Sequence, residues 1–246
     1  MNISFNIKNM LHKIKIAFTN KNKRLLYFKI LIYKLKTLFQ QKIICIKKNN
    51  ISITGFSKSS ITQDFYTKDI INDHFLTIQD IVFRHYPNSA PIFIDIGANI
   101  GIYSISCHHL CKTIKQQIAI EAHPKTFELL VENIAKNHLN KKIKAFNLAI
   151  SNSQKSKTID FNINNCGASQ LGDNPKNPSI TCDTLNVFIE KNKINPNSIS
   201  WIKIDVEGHE PEVLQEASVI LENKIPIVLE FWPPIYKKKQ ITPTNP

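Results

Sequence analysis

From about residue 90 onward, short apolar runs alternate with stretches in which apolar positions recur every three or four residues. The first pattern belongs to buried strands and the second to helices with one apolar face, so their alternation predicts βαβ units on a parallel sheet. Strands are predicted over 91–96, 117–121, 143–150, 199–206 and 225–231. Helices are predicted over 101–110 and over 124–139, the latter with Phe127, Leu130, Val131, Ile134 and Leu139 on one stripe. Pro124 stands in its first turn, where proline is favoured. A further helix opens at Pro211 and carries Val213, Leu214, Ala217, Ile220 and Leu221 to about Asn223, and a shorter one lies within 182–192.

Residues 151–180 break this rhythm with Ser, Asn, Lys and Pro, and within them Thr158-Ile-Asp-Phe-Asn-Ile alternates like an exposed strand. An inserted hairpin or lid is predicted there. At the other end, Leu11, Ile14, Phe18, Leu25, Phe28, Ile32, Leu35 and Phe39 recur among lysines at roughly helical spacing. The organisation expected is a basic amphipathic helical arm over 1–50, one α/β domain over 51–236, and a disordered basic and proline-containing tail over 237–246.

The formal net charge of +13 changes meaning once it is located. Residues 1–50 hold twelve Lys or Arg and no Asp or Glu, leaving twenty basic against nineteen acidic side chains for residues 51–246. The body is nearly neutral, so nucleic acid is not the expected partner, and the arm suits peripheral contact with an anionic membrane. No apolar run approaches the roughly 20 residues that span a bilayer, and no secretory signal pattern is present. The expected location is cytoplasmic, peripheral at the inner membrane face. Cys45, Cys107, Cys111, Cys166 and Cys182 have no framework spacing, which suits reduced thiols. Cys107-His-His-Leu-Cys111 lacks the second ligand pair of a structural zinc site, so no metal is expected.

The chemistry gathers at two motifs. In FIDIGANIGIYS, residues 93–104, an apolar strand ends in Asp95 and breaks into a turn carrying Gly97, Asn99 and Gly101. In an open parallel sheet, ligands sit beyond the carboxyl ends of strands, where bare backbone lets N–H groups approach closely. The spacing is neither G-x-G-x-x-G nor a P-loop. Glu121 ends the neighbouring strand just over 20 residues on, where a carboxylate can accept hydrogen bonds from both hydroxyls of a ribose. A bare turn with a ribose carboxylate and no phosphate machinery points to a nucleoside.

In KIDVEGHE, residues 203–210, Lys203, Asp205 and Glu207 alternate along a strand into its terminal loop and share one side if the extended conformation persists. Acid, base and cation at the mouth of a cofactor site mark it as a candidate reaction centre.

These motifs, with AIEAHPKTFELLVENIAKN at 119–137, CGASQL at 166–171, ITCDTLNVFI at 180–189, WIKIDVEGHEPEVLQEA at 201–217 and IPIVLE at 225–230, closely resemble the FkbM-type S-adenosyl-L-methionine-dependent methyltransferases. Order and spacing match over roughly residues 60–232. The resemblance implies an α/β class I methyltransferase (Rossmann-like) fold, a doubly wound, mostly parallel sheet. It places Asp95, Gly97, Asn99 and Gly101 around the methionine moiety of S-adenosylmethionine, Glu121 on its ribose and His123 near that turn. Asn147 or Ser151 meets the adenine, and Ser169 and Gln170 touch acceptor or cofactor.

The expected activity is O-methylation of a sugar or other polar hydroxylated acceptor, a small molecule or a glycolipid. A hydroxyl must lose its proton near the transition state, and Asp205 is the first choice of base, with Glu207 or His209 as alternatives and Lys203 supplying charge. The chain after Phe231-Trp-Pro-Pro is too short for the last helix and strand pair usual in this class, so abbreviated C-terminal strands are expected. That shortening keeps a second expectation open, a catalytically inactive nucleoside-binding or scaffold protein.

Overall fold

The computed structural model describes residues 21–38, 43–68, 90–161 and 169–230. A helix, α1 (Lys21–Leu38), precedes a hairpin of β1 (Ile43–Lys48) and β2 (Ile51–Phe56), followed by a short helix α2 (Ser60–Thr67). Asn49 and Asn50 make the hairpin turn at φ 49° and 62°, the left-handed backbone that a two-residue turn requires. The expected helical arm is corrected here: its last residues are strand, because Ile44 and Ile46 alternate inward between exposed neighbours. Of the arm's apolar stripe, Leu25 and Phe28 are 57% and 60% exposed. Tyr33 makes the contact with the body instead, buried and donating its hydroxyl to Ser57 O at 2.7 Å. Leu11, Ile14, Phe18, Phe39 and the tail lie outside the described residues, as does the side chain of Leu35.

The α/β body follows the predicted alternation. In chain order it comprises β3 (Ile92–Ile96), α3 (Ile102–Leu110), β4 (Gln116–Ile120), α4 (Pro124–Lys136), β5 (Ile143–Phe146) and β6 (Ala149–Ile150). An insert of β7 (Lys157–Ile159), β8 (Leu171–Gly172) and β9 (Ser179–Ile180) comes next. The chain returns through β10 (Cys182–Asp183), α5 (Leu185–Lys191), β11 (Ile199–Ile204), α6 (Glu210–Gln215), α7 (Ser218–Glu222) and β12 (Ile227–Leu229).

Five of these strands form one parallel sheet in the order β12-β11-β3-β4-β5. Alternate residues of each strand pack on opposite faces. Ile94, Ile96, Ile118, Ile120, Ile202 and Ile204 turn toward Phe188, Val213 and Ile220 of α5 to α7. On the other face, Ala119 joins the apolar side chains of α3, α4 and the hairpin, among them Ile53, Ile105 and Leu130. Phe93 and Trp201 stack there at 4.1 Å between ring centroids, over Cys107 and Cys111. The Cys-His-His-Leu-Cys stretch is thus an ordinary helix whose two thiols are buried in the core.

Two predicted elements are interrupted. The strand expected over 143–150 splits at Asn147, whose amide donates to Glu121 O and Ala122 O, both at 2.9 Å. Beyond that point β6 leaves the main sheet and pairs with β10. The helix from Pro211 likewise breaks at Glu216 and Ala217 into α6 and α7. The hairpin does not join the sheet but is fastened to α4. Asn133 and Asn137, one turn apart, accept from Thr54 N at 2.6 Å and Ser52 N at 2.9 Å and donate back to the carbonyls of the same two residues. Among the described residues, no helix is long and apolar enough to cross a membrane.

Candidate functional site

The strand order reverses between β3 and β11, the point at which an open parallel sheet leaves a crevice beyond its carboxyl ends. The loops after these two strands meet there at backbone distance. Gly97 has φ 79°, and a Cβ in its place would stand 1.8 Å from Asp205 O. Gly97 N and Ala98 N both donate to Ile120 O at 2.9 Å, which ties the turn to β4 as well. Asn99 follows at φ 52° with its side chain accepting from Ile100 N at 2.8 Å. Gly101, at φ 89°, closes the turn where a Cβ would press within 2.7 Å of Leu130 Cδ1.

Glu121 braces this turn from the end of β4. Its Oε2 accepts from Asn99 N at 2.9 Å and its Oε1 from His123 N at 2.8 Å. Burial pushes the carboxyl up to about 7 despite those two donors. Each carboxylate oxygen can accept a further hydrogen bond beyond these two. His123 itself stacks on Phe161 at 4.2 Å, and burial and Lys125 bring its imidazole down to about 4.

A cavity of about 260 Å³ runs from the turn to the ends of β11 and β12. Gly97, Asn99 and Glu121 line one end, and Asp205, Glu207 and Glu230 the other. Ile159, Ser169 and Leu171 of the insert also face it. Asp95 lies beneath the turn rather than in the cavity, fully buried, with Ser104 Oγ donating to Oδ2 at 2.7 Å. Its register partner on β11 is Lys203, whose Nζ is 3.6 Å from Asp95 Oδ1 and 2.9 Å from Asp205 Oδ2, and 4.8 Å from the centre of the Tyr103 ring. Burial works against the charge on Lys203, but Asp205 and Asp95 outweigh it and hold the ammonium above its usual range. For Asp205 burial is likewise outweighed by Lys203, so its carboxyl falls below the ordinary value.

Asp205, Glu207 and Glu230 each present a carboxylate oxygen within 4.8 Å of the others. Glu207 occupies the left-handed region at φ 54°, sparsely populated for a side chain of its size. Two side chains brace this turn. Glu210 Oε1 accepts from Val206 N at 3.0 Å and Gly208 N at 3.3 Å, and Gln170 Nε2 of the insert donates to Glu207 O at 3.1 Å. Burial, Asp205 and Glu230 push the Glu207 carboxyl up to about 7. Glu230 stands at the exposed rim and is also pushed up to about 7, first by its hydrogen bond to Asp205 and then by burial.

The structure therefore gathers Gly97, Asn99, Glu121, Asp205 and Glu207 around one cavity, while Lys203 and Asp95 form the ion pair underneath. His209 turns aside: its Nε2 meets Ser151 Oγ at 2.9 Å and its Nδ1 lies 3.6 Å from Glu212 Oε2. Ser151 is buried in that contact, and Asn147 is engaged by the backbone after β4. Glu230 was not anticipated. The signal for it was its place after an apolar run, the position that Asp95 and Glu121 also occupy or border.

Residues 95–242 match the methyltransferase FkbM domain. Methyltransferase sdnD of Sordaria araneosa is 26% identical over 223 residues, covering 77% of this chain and 82% of sdnD. Among solved structures, methyltransferase FkbM from Methylobacillus flagellatus KT overlaps 57% of this chain at 16% identity with a TM-score of 0.40. TYW2 of M. jannaschii, solved in complex with AdoMet, overlaps 44% at 17% identity with a TM-score of 0.30. The chain spans 32% and 44% of the lengths of these two structures. With the family domain matching more than half of its residues, the chain belongs to the FkbM methyltransferase family.

Proposed function

We propose that the protein transfers a methyl group from S-adenosylmethionine to a hydroxyl of a sugar or other polar acceptor. The observation that carries this reading is one cavity with a braced glycine turn and Glu121 at one end and the Glu207 carboxyl at the other. The turn fits the cofactor because Gly97 lets the loops after β3 and β11 close to backbone distance at the cavity, and Glu121 keeps a lone pair on each oxygen for the ribose hydroxyls. When bound, the cofactor supplies an electrophilic methyl group on a sulfonium.

The residues of the chain do the rest. Gly97, Asn99 and Glu121 hold and orient, which matters because in-line displacement depends on alignment. Glu207 takes the acceptor's proton: its raised carboxyl is a stronger base than Asp205, which Lys203 keeps ionised and weakly basic. Lys203 and Asp95 fix Asp205 in place. The described lining holds Glu121, Asp205, Glu207 and Glu230 and no Lys or Arg, which favours an uncharged polyol over a phosphorylated acceptor or nucleic acid. The same carboxyl group of three supports an enzyme over a nucleoside-binding scaffold.

In this reading residues 51–236 are the catalytic unit, 151–180 its lid, and the basic arm of residues 1–50 holds the enzyme against the anionic cytoplasmic face of a membrane, where a glycolipid acceptor would lie. Replacing the lysines of residues 1–36 by glutamine, which leaves the hairpin strand β1 in place, should release the protein from anionic liposomes at moderate salt; unchanged retention overturns the arm's role. The central reading is tested by calorimetric titration with S-adenosylhomocysteine. The expected result is micromolar binding that Glu121→Ala weakens about tenfold, or about 1.4 kcal/mol. Absence of binding by folded wild-type protein overturns it.

A further inference from the structure

Three carboxyl groups within 4.8 Å cannot all be ionised near neutrality without a strong electrostatic cost, so their protons are apportioned among them. Lys203 decides the first: its ammonium lies 2.9 Å from Asp205 Oδ2 and holds that group ionised. Glu230 lies against Asp205 within this group, and two carboxyl groups held so close share a proton between them. Since Asp205 is ionised, Glu230 carries the proton. Glu207 faces Asp205 and Glu230 only through charge.

Resting on the reading of the mouth as the proton-accepting end, we propose that Glu230 is a positioning residue for methyl transfer. By retaining the proton in its bond to Asp205, it leaves the remaining negative charge of the cluster on Glu207. In the step, the acceptor's O–H bond breaks and its proton goes to Glu207. The oxygen's electron pair forms the O–CH₃ bond, and the pair of the broken S–CH₃ bond stays on sulfur as a neutral thioether.

The charged and titratable groups facing Glu230 are Asp205, Glu207 and Glu210 on one side and Lys203 with Tyr103 beneath. Both Glu207 and Glu230 stand at about 7, so their competition for one proton falls within the working range. A carboxyl from the last described strand thereby sets the ionisation of one on the loop after β11.

Glu230→Gln separates this role from general acid–base action by Glu230 itself. The amide still donates to Asp205 but can never ionise, so Glu207 is spared the negative neighbour that Glu230 becomes as pH rises through about 7. Turnover is expected to persist, with the acid limb of the kcat/KM profile moved down by about half a pH unit or more. Glu230→Ala, which cannot donate, should lower kcat about tenfold. An unmoved profile, or loss of turnover at every pH while S-adenosylhomocysteine still binds, overturns the proposal. Carbon-13 NMR of carboxyl-labelled glutamates, assigned with Glu207→Gln, reads the same point without an acceptor: Glu207 should titrate near 7 in wild type and lower in Glu230→Gln. An unmoved Glu207 titration overturns the role of Glu230, whereas missing S-adenosylhomocysteine binding overturns the methyltransferase reading.

Discussion

At the glycine turn, Gly97 and Ala98 hang from one carbonyl of β4, and Glu121 accepts from two backbone N–H groups, one in the turn after β3 and one after β4. At the opposite end, Glu207 and Glu230 face the cavity, Glu207 raised by burial and like charge and Glu230 by its contact with Asp205 and by burial, while the nearest cation already serves Asp205 and Asp95. The first end is fixed by main chain, the second left to carboxyl groups that exchange protons near neutrality. A group that must only hold a ligand gains from being fixed in place beforehand, whereas a group that must accept a proton cannot have its charge already matched.

The two ends touch at Gly97, so the largest effect is expected there. Gly97→Ala would set a methyl against Asp205 O in a backbone conformation that disfavours it, costing about 3 kcal/mol or more. Differential scanning calorimetry should show a depressed Tm, and S-adenosylhomocysteine binding should vanish; wild-type values for both would show that the ends are not joined through this contact. Glu207→Gln breaks only the second end. It should lower kcat about 10²- to 10⁴-fold in a methyl-transfer assay and leave S-adenosylhomocysteine binding within about twofold.

A pH titration sharpens the comparison. With Glu121 raised to about 7, its ionised form gains as pH rises from 6 to 8, so affinity for S-adenosylhomocysteine should increase over that window and Glu121→Gln should flatten the increase. Stability of the unliganded protein should move the other way. An acid raised by folding binds its proton more tightly in the native state, so the stabilisation is full below the unfolded value near 4.5 and is lost as pH rises through 7. Denaturant melts at pH 5.5 and 8 would check this. Gln170→Ala, which removes the insert's grip on Glu207 O, should give the smallest change, a few-fold loss in kcat corresponding to about 1 kcal/mol.

Where a residue's position follows from its own strand, the sequence was enough to find it. Gly97, Asn99, Glu121, Asp205 and Glu207 are found where strand ends and spacing put them. Asp95 was expected in the same group, but the strand's alternation turns it down onto Lys203, and the extra polarity it brings is absorbed by an ion pair. His209 belongs to the same lesson: adjacent to Gly208 in sequence, it is carried toward Ser151 by the turn that precedes α6. Glu230 was not identified because its neighbours come from β11, more than 20 residues earlier, and apolar periodicity holds no information on which strand ends lie side by side. The hairpin was overlooked for a different reason, since lysines interleaved with isoleucines fit a helix as readily as an edge strand.

The fastening of that hairpin by Asn133 and Asn137 carries a consequence for how the molecule breathes. Ser52 and Thr54 present their N–H groups on the outer edge of a two-stranded sheet, an edge that ordinarily exchanges with solvent at the rate of local fraying. Here both N–H groups end on side chains of α4, and Asn133 also donates to Ile100 O just inside the glycine turn. Their deuterium uptake should therefore follow that of α4 rather than that of the hairpin turn at Asn49 and Asn50, so that the hairpin and the glycine turn open as a single unit.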